Sequence, residues 1–149
     1  MSVKLERYPE YGVTFLVFGG AIGGDDVDKL CRMLGPRDCG KWLSYFDATS
    51  DFSGIAVGQL PELKRALEKC QVEACGGVQQ PNAIVVASSA GEGFARFWRE
   101  YTLIGSVHPM TPTVFSDFRA ACDWLDLPEP ARVRLAAEVG GAERGASGG

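Results

Sequence analysis

The run Ala83-Ile84-Val85-Val86-Ala87 constrains this chain more than any other feature. It offers water no polar face, and three of its residues are β-branched, so it reads as a strand covered on both sides. The next segment supplies the cover: Phe94, Phe97, Trp98 and Tyr101 recur at helical spacing over residues 91–104. Thr113-Val114-Phe115 then makes a second short strand, and Ser116 opens a helix carrying Phe118, Ala121, Cys122 and Leu125. Strand, helix, strand, helix in this order predicts parallel strands packed under helices.

The first half extends the pattern. Residues 3–8 alternate apolar and charged side chains, as an edge strand does, and Pro9-Glu10-Tyr11-Gly12 supplies turn chemistry. Val13-Thr14-Phe15-Leu16-Val17-Phe18 returns as a more buried strand, which predicts a hairpin. A flexible, glycine-rich loop over residues 19–24 leads to a helix capped by Asp25, with Val27, Leu30, Cys31 and Leu34 on its apolar face. Trp42 to Phe46 reads as a strand, and residues 48–58 as a long connection. Pro61 suits the first residue of a helix that puts Leu60, Leu63, Leu67 and Cys70 on one side. The predicted fold is α/β: one mixed, mostly parallel sheet covered by helices in the order ββαβαβαβα, joined by right-handed crossovers. Residues 1–127 form this domain, 128–139 a short C-terminal helix or extension, and 140–149 a Gly-rich flexible tail.

Several function classes are disfavoured by the same text. A net charge of −4 argues against non-specific nucleic-acid binding, which needs a cationic surface. No apolar stretch reaches the length of a membrane span, and residues 1–7 lack the apolar core of a signal peptide. Ser2 stands where N-myristoylation needs glycine. Cys31, Cys70 and Cys122 fall on apolar helix faces, where cysteine behaves as a small hydrophobe. With no C-x-x-C pair, and the single histidine, His108, far from any cysteine, no metal site is expected; a reducing cytoplasm is the simplest compartment.

Two blocks carry a family resemblance. Thr113-Val114-Phe115-Ser116-Asp117-Phe118-Arg119-Ala120-Ala121-Cys122-Asp123-Trp124-Leu125 is similar to the closing strand, capped turn and helix of the SpoIIAA-like branch of the STAS (sulfate transporter and anti-sigma factor antagonist) family. Ala83-Ile84-Val85-Val86-Ala87, with Gly93-Phe94-Ala95-Arg96-Phe97 after it, resembles that branch's "A-I-V" strand and following helix. The resemblance spans residues 3–127 and implies a non-catalytic module, and no cofactor is expected. Such a module acts through protein contacts, regulation, or binding of a small or lipid-like molecule. It also implies a phosphorylatable serine in a "D-x-S-G" turn, which Asp51-Phe52-Ser53-Gly54 matches, with a regulatory kinase as partner. Pro61 places the next helix several residues later, which leaves Ser53 in an open loop.

Other constellations weigh less. Residues 19–24 read G-G-A-I-G-G, with Ala21 replacing the middle glycine of a dinucleotide loop and Asp25, Asp26 and Asp28 where a pyrophosphate would sit. Asp47 ends a strand as in receiver domains, yet no lysine follows the last strand to stabilise an acyl phosphate. No Ser-His-Asp or Cys-His order has recognisable context, so no catalytic set is expected. Phe94, Phe97, Trp98 and Tyr101 are the candidates to line a pocket for an apolar or lipid-like ligand, a reading that an enclosed cavity beside Trp98 would favour. The edge strand at residues 3–8 suits pairing with a second copy.

Overall fold

The computed structural model describes residues 3–35, 40–76, 78, 80–105 and 111–147. His108 and Cys39 lie outside the described residues. The chain opens with the expected hairpin: β1 (Val3–Tyr8) pairs antiparallel with β2 (Val13–Phe18) across a short 3-10 turn at Pro9–Tyr11. Gly12 closes that turn at φ 63°, a left-handed conformation that glycine adopts without steric cost. Then come β3 (Ala21–Gly23), α1 (Gly24–Met33), β4 (Lys41–Phe46), β5 (Asp51–Gly54), α2 (Gln59–Cys75), β6 (Asn82–Val86), α3 (Ser89–Leu103), β7 (Thr113–Phe115), α4 (Phe118–Trp124) and α5 (Glu129–Ser147). The main sheet has the order β1-β2-β4-β6-β7, and β2, β4, β6 and β7 are parallel neighbours. This is the mixed, mostly parallel α/β sheet expected from the sequence. None of the described helices is long and apolar enough to cross a membrane.

Because successive strand side chains point to opposite faces, each central strand feeds two cores. Leu16 and Phe18, Trp42 and Phe46, Ile84 and Val86 face one way. There they meet Val27 and Leu30 of α1, Leu63 and Leu67 of α2, and Ala95 and Trp98 of α3. Phe15, Leu43, Tyr45, Ala83 and Val85 face the other way, against Ala121, Cys122 and Leu125 of α4 and Ala131, Leu135 and Val139 of α5. Each parallel strand is laid down beside the last in one direction, so right-handed crossovers put α1, α2 and α3 on the same face. Covering the second face therefore falls to the C-terminal helices.

Four local details depart from the sequence reading. Gly23 rather than Asp25 is the N-cap of α1, and the Asp26 carboxylate accepts the Gly23 N–H at 2.9 Å. Asp117 rather than Ser116 caps α4, accepting from the Arg119 N–H at 3.2 Å. Pro61 is the third residue of α2, not the first. Residues 19–24 are not a free loop, because Ala21–Gly23 forms a strand that pairs in parallel with Asp51–Gly54.

The C-terminal segment is longer and more integral than composition suggests. α5 runs to Ser147, through positions the sequence assigns to a tail, and Ala131, Leu135 and Val139 line up at i, i+4 and i+8 against the sheet. Ion pairs Lys4–Glu138 (2.5 Å) and Arg134–Glu10 (2.7 Å) tie the helix to the hairpin, and the Arg134 guanidinium lies 4.7 Å from the Tyr8 ring centre. These pairs are exposed and contribute little each, so the apolar stripe holds the helix. We expect Leu135→Ala to lower unfolding free energy by about 2–4 kcal/mol, while Val133→Ala on the exposed face changes it by less than about 0.5 kcal/mol; urea denaturation of the two variants measures both.

Candidate functional site

The α1–α3 face of the sheet is not packed solid. A cavity of about 60 Å³ lies there, bounded by Leu16, Trp42 and Ile84 on the sheet and by Val27, Leu63, Phe94 and Trp98 on the helices. A water's share of liquid volume is about 30 Å³, so the space is large enough for two waters or about three carbon atoms. Its walls are overwhelmingly apolar; Asp26, Ser44 and Asn82 are the polar members. Walls so largely apolar favour an apolar guest.

Aromatic rings build one end of it. Phe18 and Phe46, at the ends of β2 and β4, meet edge to face at 5.0 Å. Phe52 of β5 sits 4.6 Å from Phe46 and stacks on Phe94 of α3 at 4.2 Å, the two rings parallel to within 1°. Contacts of this kind add about 0.5–1.5 kcal/mol beyond the area they bury. Of the four aromatic residues singled out from the sequence, Phe94 and Trp98 line the cavity. Phe97 is 49% exposed, and Tyr101, which stacks on Trp98 at 5.7 Å and packs against the edge of the core, does not reach the cavity, so these two are not part of the lining. The helical period places Phe94 and Trp98, four residues apart, over the sheet and turns Phe97 away. Phe52, Ser44 and Asn82 were missed. Phe52 sits in what reads as a polar connection, and its one signal is the apolar pair Phe52 and Ile55 inside that stretch.

Phe52 reaches the cavity because a polar clip anchors β5. Asp47, buried at the end of β4, accepts hydrogen bonds from the Thr49 N–H (2.8 Å) and the Thr49 hydroxyl (2.6 Å) through one carboxylate oxygen. The Gly20 N–H donates to Thr49 Oγ1 (2.9 Å), and the Ser50 hydroxyl donates to the Phe18 carbonyl (2.8 Å). A Cβ at Gly19 would run into the Asp47 carboxylate, so any larger residue there would displace the group that holds the clip. Asp47 thus joins the ends of β2 and β4 and delivers the chain to the β3–β5 pair.

Ser53 lies on β5, exposed, and not in the open loop or turn that the sequence suggested. α2 begins at Gln59, so Ser53 is not at that helix's N-terminus. Hydrogen bonds from Ser53, its hydroxyl first and its backbone N–H (3.0 Å) second, hold the Asp51 carboxyl below its ordinary range. Gly54 packs tightly in the same strand, since a Cβ there would come 3.1 Å from the Ile22 carbonyl oxygen.

Cys31, Cys70 and Cys122 are free, and burial pushes the Cys122 thiol up to about 11, far from the thiolate needed for reaction. Cys75, the last residue of α2, is disulfide-bonded, a pairing that the residue pattern did not reveal.

No family model matches the chain, and no curated protein matches it. Among solved structures it is similar to an uncharacterized protein from the DUF3478 family with a SpoIIAA-like fold from Shewanella loihica PV-4. The two share 15% sequence identity, with 83% of this chain and 91% of that chain covered at a TM-score of 0.47.

Asp51 yields a pH signature. Its folded-state value is depressed, so the stability it contributes is fully present above its unfolded value, about 3.9, and fades as pH falls through the folded value. We expect Ser53→Ala, which removes the hydroxyl and keeps the backbone N–H, to raise the Asp51 midpoint part of the way toward the ordinary carboxylate range, read by carboxyl carbon NMR across the acid limb of the titration. An unchanged midpoint would mean that the Ser53 hydroxyl does not hold this carboxylate.

Proposed function

We propose that this protein is a non-enzymatic binding module that holds a small apolar molecule, or the apolar end of a larger one, between its sheet and the layer of α1, α2 and α3. The cavity beside Phe94 and Trp98 carries this reading. Three buried carbon atoms at about 0.8 kcal/mol each give roughly 2–3 kcal/mol, an affinity weaker than millimolar. A natural ligand therefore draws on contacts beyond the apolar walls.

Xenon under pressure is a suitable probe, because it is apolar and fills dry cavities. We expect methyl NMR shifts at Leu16, Val27, Leu63 and Ile84, with Leu43 and Leu135 on the opposite face unmoved. Shifts spread evenly over both faces, or none, would remove the reading.

A second reading, regulation through a protein partner, is supported by the exposure of Ser53 on β5 directly beside Phe52. A phosphate there would add about two negative charges next to Asp51 and press on the strand that positions Phe52. On this reading a kinase modifies Ser53, and the partner recognises the β3–β5 surface. Phosphopeptide mapping of the protein from its own cells, over residues 41–64, should find phosphate on Ser53; its absence across growth conditions ends this second reading and leaves the first untouched.

A further inference from the structure

The amino ends of β6 and β7 lie side by side at the edge of the sheet, with Ala83 in register with Thr113. Gln80, Pro81 and Asn82 at the start of β6, Thr111 and Thr113 at the start of β7, and Trp124 at the end of α4 border an open cleft of about 290 Å³. That volume is close to the lower end of the range for small-molecule sites, about 300–1,000 Å³. Four of the six side chains carry an amide or a hydroxyl, and none is ionisable. Thr111 Oγ1 is the buried side-chain polar atom that lacks a hydrogen-bond partner among the described residues. An unpaired hydroxyl shut off from water is unfavourable. The two branches of threonine are close in size, so a turn about χ1 exchanges hydroxyl for methyl and offers the hydroxyl to the cleft. Trp124 is 46% exposed, and Phe115 packs on it with ring centres 5.6 Å apart, which steadies the indole while leaving much of its surface free.

We propose that this cleft is a second binding site, for a neutral sugar ring that stacks on Trp124 and exchanges hydrogen bonds with Gln80, Asn82, Thr111 and Thr113. A pyranose has an apolar face of C–H groups and a rim of hydroxyls, each both donor and acceptor. Amides and hydroxyls pair with such a rim in either sense, in place of the waters that fill an open polar cleft. An aromatic ring covers the C–H face. A nucleotide fits less well, because no cationic side chain lines the cleft to meet its phosphate and the chain carries a net charge of −4. A purely apolar molecule would strip water from polar side chains and return no hydrogen bond. The site is separate from the apolar cavity: Asn82 borders both spaces, but Trp124 and Thr111 do not line the cavity.

The test titrates the methyl pyranosides of glucose, galactose, mannose and N-acetylglucosamine into the whole protein and follows the tryptophan indole N–H signals by NMR. We expect at least one of them to shift the Trp124 signal saturably, with a dissociation constant in the millimolar range, while the buried Trp42 and Trp98 stay unmoved. Thr111→Val keeps the shape of the side chain and removes the hydroxyl. It should weaken that binding by about three- to tenfold and leave the melting temperature unchanged or raised. Trp124→Ala, read at the Thr113 amide, should weaken it by about tenfold or more. Equal affinity in Thr111→Val and the wild-type protein would overturn the role of the Thr111 hydroxyl. No Trp124 shift with any of the four pyranosides, or a shift with adenosine alone, would overturn the sugar site. Either outcome leaves the apolar-ligand reading intact, since xenon is read at Leu16, Val27, Leu63 and Ile84 around the other space.

Discussion

A sheet that is apolar on both faces governs everything else in this molecule. Phe15, Leu43 and Ala83 are fully buried at its centre, and the residues next to them in sequence are buried on the other side. Strands of this kind cannot be left open on either face without exposing a broad apolar surface. The parallel crossovers commit α1, α2 and α3 to one face, which leaves the second to the helices after β7. α4 and α5 are therefore not an appendage: Leu125, Leu127, Ala131 and Leu135 complete a core that the chain up to β7 cannot close alone.

The two layers are filled differently, and that difference makes the candidate site. On the α4–α5 face, small side chains such as Ala83, Ala121 and Ala131 let the helices come close. On the other face three helices, with Trp98 on α3, meet Phe18, Trp42 and Phe46. Bulky rings hold the layers apart more readily than they fill the space between, and the gap remains at Ser44, where β4 presents its smallest side chain on that face. The β3–β5 pair then brings Phe52 onto Phe94 at one end. Rings and aliphatic side chains give the space its apolar character, and Asp26, Ser44 and Asn82 are the polar groups on its walls.

Much of this was legible from the chain. The five strands of the main sheet and the first four helices arise from unbroken apolar runs, helical stripes and turn residues, because those signals are local. Local chemistry was less reliable at the caps: Asp25, Asp26, Ser116 and Asp117 are all good capping residues, and backbone geometry chose among them. β3 and β5 escaped notice because they are short, glycine-containing and paired only with each other. Residues 140–147 read as a tail from their glycines, yet they continue a helix already anchored by Leu135 and Val139.

By itself the sequence determined the α/β class, the order of the principal elements and the stripe that puts Phe94 and Trp98 toward the sheet. Those properties depend on periodicity, which the backbone imposes within a few residues. Only the tertiary structure decided that Phe97 stays outside, that Phe52 joins Phe94, and that Ser44 lies on the cavity wall. A cavity is a property of what three helices and a sheet fail to fill, and no single segment encodes it. The contact between Phe52 and Phe94 depends in the same way on segments far apart in the chain, so it appears only once both are in place.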